Sequence, residues 1–483
     1  MTLENNLNTN PFDDDKLKEE CGVFAIFNSK DASVNTALGL HALQHRGQEA
    51  AGIVTLDAGN FAMHFADGLV GDNFNSPEIV DKLQGDAAIG HVRYSTAGKK
   101  TARNYQPIFA EFSFGSLAIA HNGNLTNAET LRKKLIDRGS IFQSSMDTEV
   151  IIHLIALSQK NTLQERIIDA ISQIEGAYSL VILHKDGVIA FRDPHGVRPL
   201  VLGRLGDSDV VASETCAFDI IGADFVRDVK GGEMLIINKD GIASINPFKK
   251  VPSKFCIFEY IYFARPDSFL ENKSVYQMRK NIGVQLAKEA IIEADVVVPV
   301  PDSGVPAAIG YAQESKIPFE LGIIRNHYVG RTFIEPSDKI RHFGVKLKHN
   351  ANTEVIKGKR VILVDDSIVR GTTSKKIVQM VRDAGAKEVF MLIASPPTVD
   401  SCFYGVDTPD KKDLMAANHD LEQMARLIGV DKLAYISIDG LYKAVGEGKR
   451  DVDNPQYCDA CFTGDYPIRL TDKIGAEMPL FKL

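Results

Sequence analysis

The sequence predicts an α+β layered domain followed by a doubly wound α/β domain on a parallel sheet, and three observations lead there. The chain has 483 residues, more than the ~100–200 of one ordinary domain. Up to about residue 250 the apolar runs are short and cut by Gly, Asn and Asp, with helical stretches grouped between them, the pattern of α+β layers rather than regular βαβ alternation. Beyond that point, DVVVPVP (295–301) and VILVDD (361–366) run on without alternation, as strands buried on both faces of a parallel sheet do.

Composition sets the outer bounds. Hydrophobic residues make up 44% and charged residues 24%, which excludes a disordered chain, a fibre or a coiled coil. No apolar run reaches the ~18 residues of a membrane helix. A net charge of −8 argues against wholesale nucleic-acid binding. The first twenty residues have neither the basic start and apolar core of a secretory signal nor the arginines of a transit peptide. Six cysteines in a chain this long are too sparse for a disulfide scaffold. A reducing, cytoplasmic setting is expected, where grouped cysteines bind metal or do chemistry.

Taken in order, residues 1–20 are polar and carry no packing pattern, and order begins at Cys21 with CGVFAIF. Strands are expected at GIVTL (52–56), AAIGHV (87–92), SLAIAHNG (116–123), YSLVIL (178–183), VIAF (188–191) and DVVAS (209–213). Helices are expected near 31–46, 126–138 and 147–158. The segment 231–254 is turn-rich and reads as a boundary. After it, Ser274 can cap a helix with Val275, Met278, Ile282 and Leu286 on one face. The strand VILVDD leads through a small-residue loop into a helix with Ile377, Met380, Val381 and Ala384 on one side, stopping at Gly385.

Cys21 opens a strand directly after a dispensable-looking leader. If the chain is cut before it, its α-amine, with an ordinary pKa of roughly 7.7–8.0, can serve as base for its own thiol. The plain alternative is a buried structural cysteine. The surrounding segments CGVFAIF, LHALQHRGQEAAGI (40–53), GHVRYSTAG (90–98), AHNGNLTN (120–127) and SSMDTEV (144–150) together resemble the glutaminase domain of N-terminal-nucleophile amidotransferases, an αββα fold. The resemblance implies catalysis by Cys21, with the Asn122 side chain and the Gly123 backbone as oxyanion hole. It also implies that Arg93 forks onto the glutamine α-carboxylate, that Asp147 faces the α-ammonium, and that Thr96 supports the substrate backbone.

VILVDDSIVRGTT (361–373) presents backbone N–H groups and a helix N-terminus to an anion. A Walker loop is absent. The pattern resembles the phosphoribosyl pyrophosphate (PRPP) signature of type I phosphoribosyltransferases. Under that resemblance Asp365 and Asp366 take ribose hydroxyls or a Mg²⁺ ion. Ser367 through Thr373, including Arg370, Gly371 and Thr372, hold the 5-phosphate. PVPDSGVP (299–306) looks like the pyrophosphate loop, with Ser303 near the metal. The basic stretch 325–348 resembles the family's lid, with Arg331 and Lys346 toward the diphosphate; its plain reading is a solvated face.

A glutaminase followed by a PRPP domain resembles the amidophosphoribosyltransferase family. That implies transfer of ammonia from glutamine to PRPP through an internal channel, giving 5-phosphoribosylamine, glutamate and pyrophosphate in purine synthesis. It also implies a homodimer or homotetramer inhibited by purine nucleotides, with no nucleic-acid or membrane partner. The expected division is propeptide 1–20, glutaminase 21–250, phosphoribosyltransferase 251–455 and C-terminal segment 456–483. Two competing readings are an amidotransferase that aminates a sugar phosphate and a regulatory PRPP-binding protein with an inactive glutaminase half. The 361–373 motif disfavours the first; intact Cys21, Arg93, Asn122 and Asp147 disfavour the second.

Four cysteines remain: Cys256, Cys402, Cys458 and Cys461, separated by 402 − 256 = 146, 458 − 402 = 56 and 461 − 458 = 3 positions. Four thiolates suit Zn²⁺ or an iron–sulfur cluster, and spacing does not separate the two. NPQYCDACFTG and the leader are similar to the branch of the family with a propeptide and a structural [4Fe–4S] cluster, which implies these four as cluster ligands. Cys216 reads as a small buried hydrophobe.

Overall fold

The structure, a computed structural model, describes residues 18–19, 21–94, 102–325 and 349–473. Two antiparallel sheets of seven and six strands account for the first half of the chain. Gly22–Phe27 lies inside the seven-stranded sheet, between Ala87–Arg93 and Ser208–Ala212. Period-two alternation splits its side chains. Val23, Ala25 and Phe27 join Ala118, Ala120, Val181 and Leu183 of the six-stranded sheet in the core between the sheets. Phe24 and Ile26 face the other way, toward Leu40 and Leu43 at the helix Ala32–Ala42. The outer face of the six-stranded sheet packs on Thr148–Leu157 and Leu163–Ile171. The result is four layers, αββα.

One expectation needs correcting here. The turn-rich segment from 231 holds a hairpin, Met234–Asn238 and Gly241–Ile245, on the edge of the six-stranded sheet. Its alternating strands straddle a Lys239-Asp240 turn, so the chain leaves the first layers only after Ile245. Leu163–Ile171 was not foreseen either, although Thr162 and Glu165 form a reciprocal capping box there.

In the second half, Val296–Pro299, Arg360–Asp365, Glu388–Ile393 and Lys432–Tyr435 form one parallel sheet in that order. Val297, Ile362 and Val364 pack to one side and Val296, Val298 and Leu363 to the other. Both faces are covered, which is why these strands read as unbroken apolar runs. Ser274 caps Val275–Glu289 by accepting from the Gln277 amide at 3.3 Å. The helix Thr372–Asp383 ends ahead of Gly385, whose φ is +91°.

Two segments join the halves. Phe255–Cys256 forms a short parallel ladder with Tyr457–Cys458. Lys18–Glu19, at the end of the polar leader, pairs antiparallel with Val406–Asp407. No helix among the described residues is long and apolar enough to cross a membrane.

Candidate active site

The register of the central strands builds the first site. Gly22 pairs with Val92, so Cys21 lies at the strand end beside Arg93. Both are buried, at 8% and 4% exposure. The Cys21 amide donates to the Arg46 carbonyl at 3.0 Å. The Asn122 Nδ2 lies 3.5 Å from the Ser213 hydroxyl, which accepts from the Val23 amide at 3.0 Å. Thus one hydroxyl ties Asn122 to the strand that carries the cysteine. Asn122 is fully buried, and its Oδ1 has no protein partner. Gly123 has φ +138°, and a Cβ there would sit 2.0 Å from the Ala177 carbonyl. Only glycine fits this approach.

Asp147 precedes the helix Thr148–Leu157 and accepts at 3.0 Å from the amide of Leu125, the last residue of the strand that carries Asn122 and Gly123. Burial alone would raise its pKa, but His121 and the backbone donors hold it below the ordinary carboxylate range. It is therefore an anion at neutral pH, with the charge needed to face an ammonium. Thr96 lies outside the described residues.

Beneath the cysteine sits a network that sequence reasoning passed over. Arg46, Arg198, Glu214 and Glu259 have fully buried side chains. Arg46 pairs with Glu214 and, at 2.9 Å, with Glu259; Arg198 reaches Glu259 at 3.2 Å. His45 adds a contact of 2.6 Å to Glu214. Burial opposes ionisation of Glu214, but Arg46 and His45 overcome it and hold its pKa far below normal. Arg46 lay within the QHRGQE segment, and nothing local marks its side chain as an inter-domain tie.

The second site forms at the C-terminal end of Arg360–Asp365, where ligands of open α/β sheets bind. Asp365 and Asp366 are each 1% exposed. The Asp366 amide donates to Asp365 at 2.9 Å, and the Ser367 hydroxyl donates to Asp366 at 2.6 Å. Gly371, with φ +78°, turns the loop into the helix Thr372–Asp383, and Thr373 is buried at its start. Arg370 is exposed at the loop tip. Ser303 and Gly304 sit before Val305–Ser315 on the neighbouring strand's loop. A Cβ on Gly304 would lie 2.3 Å from the Val364 carbonyl, so the two loops meet closely. Arg331 and Lys346 lie outside the described residues.

Arg279 is a further residue the sequence reading missed. It is 4% exposed and donates to the carbonyls of Tyr260 at 3.0 Å and Ala264 at 2.6 Å. Burial lowers its pKa to about 10, against the pull of Asp366 and Glu214. It stays cationic. The signal was a charge on the apolar face, four residues after Val275 and three before Ile282.

The four remaining cysteines come together. Cys256 and Cys458 are register partners, and all four line one cavity with Phe258, Phe263, Tyr404 and Tyr466. Burial pushes the Cys256 thiol to about 12 and raises Cys458 and Cys461 as well, with neighbouring cysteines adding to the effect. Among the described residues no group of three or more His, Cys, Asp or Glu could hold a single metal ion. Cys216 stands apart in the apolar core, as expected.

Known proteins match this geometry. Residues 91–219 match a glutamine amidotransferase domain model and residues 267–394 a phosphoribosyl transferase domain model. The amidophosphoribosyltransferase of Rhizobium etli is 58% identical over 474 residues, covering 97% of this chain and 96% of that one. The Bacillus subtilis amidophosphoribosyltransferase is 50% identical, covering 94% and 95%. This chain belongs to the amidophosphoribosyltransferase family. A solved structure of the Bacillus subtilis glutamine PRPP amidotransferase with ADP and GMP superposes with a TM-score of 0.88 at 49% identity, over 93% of this chain and 98% of that one. The family reaction, glutamine-dependent amination of PRPP in purine biosynthesis, is the activity of this chain.

Proposed function

We propose how this chain's own residues divide that reaction. After removal of residues 1–20, the Cys21 α-amine takes the proton of its own thiol, and the thiolate attacks the glutamine amide carbon. Asn122 and the Gly123 N–H stabilise the oxyanion, while Arg93, Asp147 and Thr96 hold the amino-acid end. Ammonia leaves, and water releases glutamate. In the second site ammonia attacks C1 of PRPP and pyrophosphate departs. Asp365 and Asp366 bind the ribose side, Ser367, Arg370, Gly371, Thr372 and Thr373 the 5-phosphate, and Arg331 and Lys346 the diphosphate. The observation carrying this reading is the single hydroxyl of Ser213 that ties Asn122 to the strand of Cys21.

Asp365, Asp366 and Ser303 offer hard oxygen donors of the kind Mg²⁺ takes, one or two carboxylates beside waters and phosphates rather than a full protein cage, on two loops that approach at Gly304 and Val364. Held there, the ion would supply charge neutralisation for a diphosphate leaving group. The four-cysteine cavity fits a [4Fe–4S] cluster. Four thiols line it and its walls are largely apolar, and a cluster takes one thiolate on each of its four irons. Held by Cys256, Cys402, Cys458 and Cys461, it would staple both ends of the second half together and supply no reacting atom. Inhibition by purine nucleotides, a homodimeric or homotetrameric assembly and a cytoplasmic location complete the proposal. The ADP and GMP bound to the Bacillus subtilis protein support the first.

The test is an assay of pyrophosphate release and phosphoribosylamine formation with glutamine or ammonia as nitrogen source. Both sources should support synthesis, and only with PRPP present. Product formed without PRPP, or PRPP binding without turnover, would overturn the reading. Anaerobically purified protein without iron, sulfide and brown absorbance would end the cluster assignment.

A further inference from the structure

We propose that Asp472, near the other end of the chain, is a positioning residue for the glutaminase site, acting through the strand end that carries Asn122 and Gly123. The inference rests on Asn122 and Gly123 forming the oxyanion hole. Their strand, Gly115–Leu125, leads into the helix Ala128–Asp137, whose first N–H groups need acceptors. The local N-cap, Asn127, provides none: its side chain donates to the Gln173 carbonyl and accepts from the Glu175 amide, each at 2.9 Å. Asp472 takes over the cap from some 340 residues away. One carboxylate oxygen accepts from the Glu129 amide at 2.8 Å. The other accepts from the Thr130 amide at 3.0 Å and its hydroxyl at 2.7 Å. The Asp472 amide donates to the Thr126 carbonyl at 2.9 Å, and Thr126 in turn donates to the Glu175 carbonyl at 2.8 Å. Thr471 closes the loop with its hydroxyl on the Glu175 carboxylate.

A second grip comes from the same half of the molecule. The Asn124 side chain donates to the Phe403 carbonyl at 3.0 Å, and a Cβ on Gly405 would sit 2.9 Å from the Gly123 Cα. The tail reaches Asp472 from this region, held on the way by a Tyr466 bond to Ser401 and a Tyr404 bond to Ile468. Residues 122–126 are thus clamped between the 403–405 loop and the 466–472 tail. Oxyanion donors act only within a few tenths of an ångström of the developing charge, and a displacement of about 1 Å costs on the order of 10²-fold. The cap sets that distance without touching substrate.

The experiment uses the mature full chain and compares Asp472→Ala, Asp472→Asn and Asn122→Ala. Asp472→Ala should lower the glutamine-dependent kcat about tenfold, leave the glutamine KM within about twofold, and leave ammonia-dependent synthesis unchanged, since only transition-state stabilisation is lost. Asp472→Asn, whose amide oxygen still accepts, should restore most of the rate. Equal loss with both nitrogen sources would show general destabilisation and overturn the proposal. So would an unchanged glutamine rate alongside an inactive Asn122→Ala. A fully active Asn122→Ala would instead remove the oxyanion reading on which the proposal stands. Should Asp472→Ala fail to fold, Asp472→Ser replaces it, and an unchanged ratio of glutamine to ammonia rates overturns the proposal in the same way.

Discussion

The nitrogen of Cys21 donates to the carbonyl of Arg46 at 3.0 Å, and the side chain of that arginine is buried against Glu214 and Glu259. Under the proposed removal of residues 1–20, the same nitrogen would be the α-amine. The carbonyl acceptor would then orient that amine, while the Arg46 guanidinium ties the segment to Glu214 and Glu259.

Cys21→Ala should abolish glutamine-dependent synthesis and leave ammonia-dependent synthesis intact, because the acceptor site keeps all its groups. Asp366→Ala should abolish synthesis with either nitrogen source. Steady-state rates with glutamine and with ammonium salt separate the two. Loss of both activities in Cys21→Ala would show that the roles are misassigned.

Gly123→Ala should remove glutamine turnover by on the order of 10²-fold or more. The added methyl would sit 2.0 Å from the Ala177 carbonyl at φ +138°, so the strand must shift from its partner. Glutamine kcat is the quantity to measure, with ammonia-dependent rate as control. A variant with normal glutamine kcat would take the Gly123 N–H out of the oxyanion hole.

Glu259→Gln should destabilise the fold by about 3–5 kcal/mol, the cost of stripping one partner from a buried ion pair. Two arginines, Arg46 and Arg198, would lose their shared counter-charge. The midpoint of urea unfolding reads the loss. A shift worth less than about 1 kcal/mol would mean that water reaches the site.

His91 is fully buried, and its Nε2–H donates to the His121 carbonyl at 3.1 Å. Burial lowers its pKa to about 3, from 6.5 in the unfolded chain. As pH falls, the unfolded chain takes up the proton first, so stability is lost progressively from about pH 6.5 down toward 3. His91→Asn removes this dependence. The stability gap between native protein and variant should therefore narrow between pH 7 and pH 5, and a constant gap would contradict the neutral histidine.

Cys458→Ser should lower bound iron in anaerobically purified protein and reduce its thermal midpoint. Metal binding to a four-thiol pocket is coupled to folding, and Cys256 and Cys458 sit in the ladder that joins Phe255–Cys256 to Tyr457–Cys458. Iron content together with thermal unfolding checks this. Unchanged iron would exclude Cys458 as a ligand.

Much of this was readable along the chain because it is local. The VILVDD strand, its loop and the Gly385 stop depend on backbone geometry and near neighbours, and they stand where the pattern places them. The capped helix after Ser274 does so for the same reason. The hairpin at 234–245 was misread because its weak alternation gains meaning only once it pairs with Gly187–Arg192.

Residue order alone therefore established the two chemistries, through short runs whose spacing follows strand and turn geometry. It stayed silent on how distant groups meet. The cap that Asp472 provides, the cation Arg279 near Asp366, the tie from Arg46 to Glu259 and the gathering of four cysteines in one cavity all join residues far apart in the chain. Such contacts exist only after the sheets are packed. Burial then raises the cost of an unmatched charge or an unmet hydrogen bond, and that cost selects the partner.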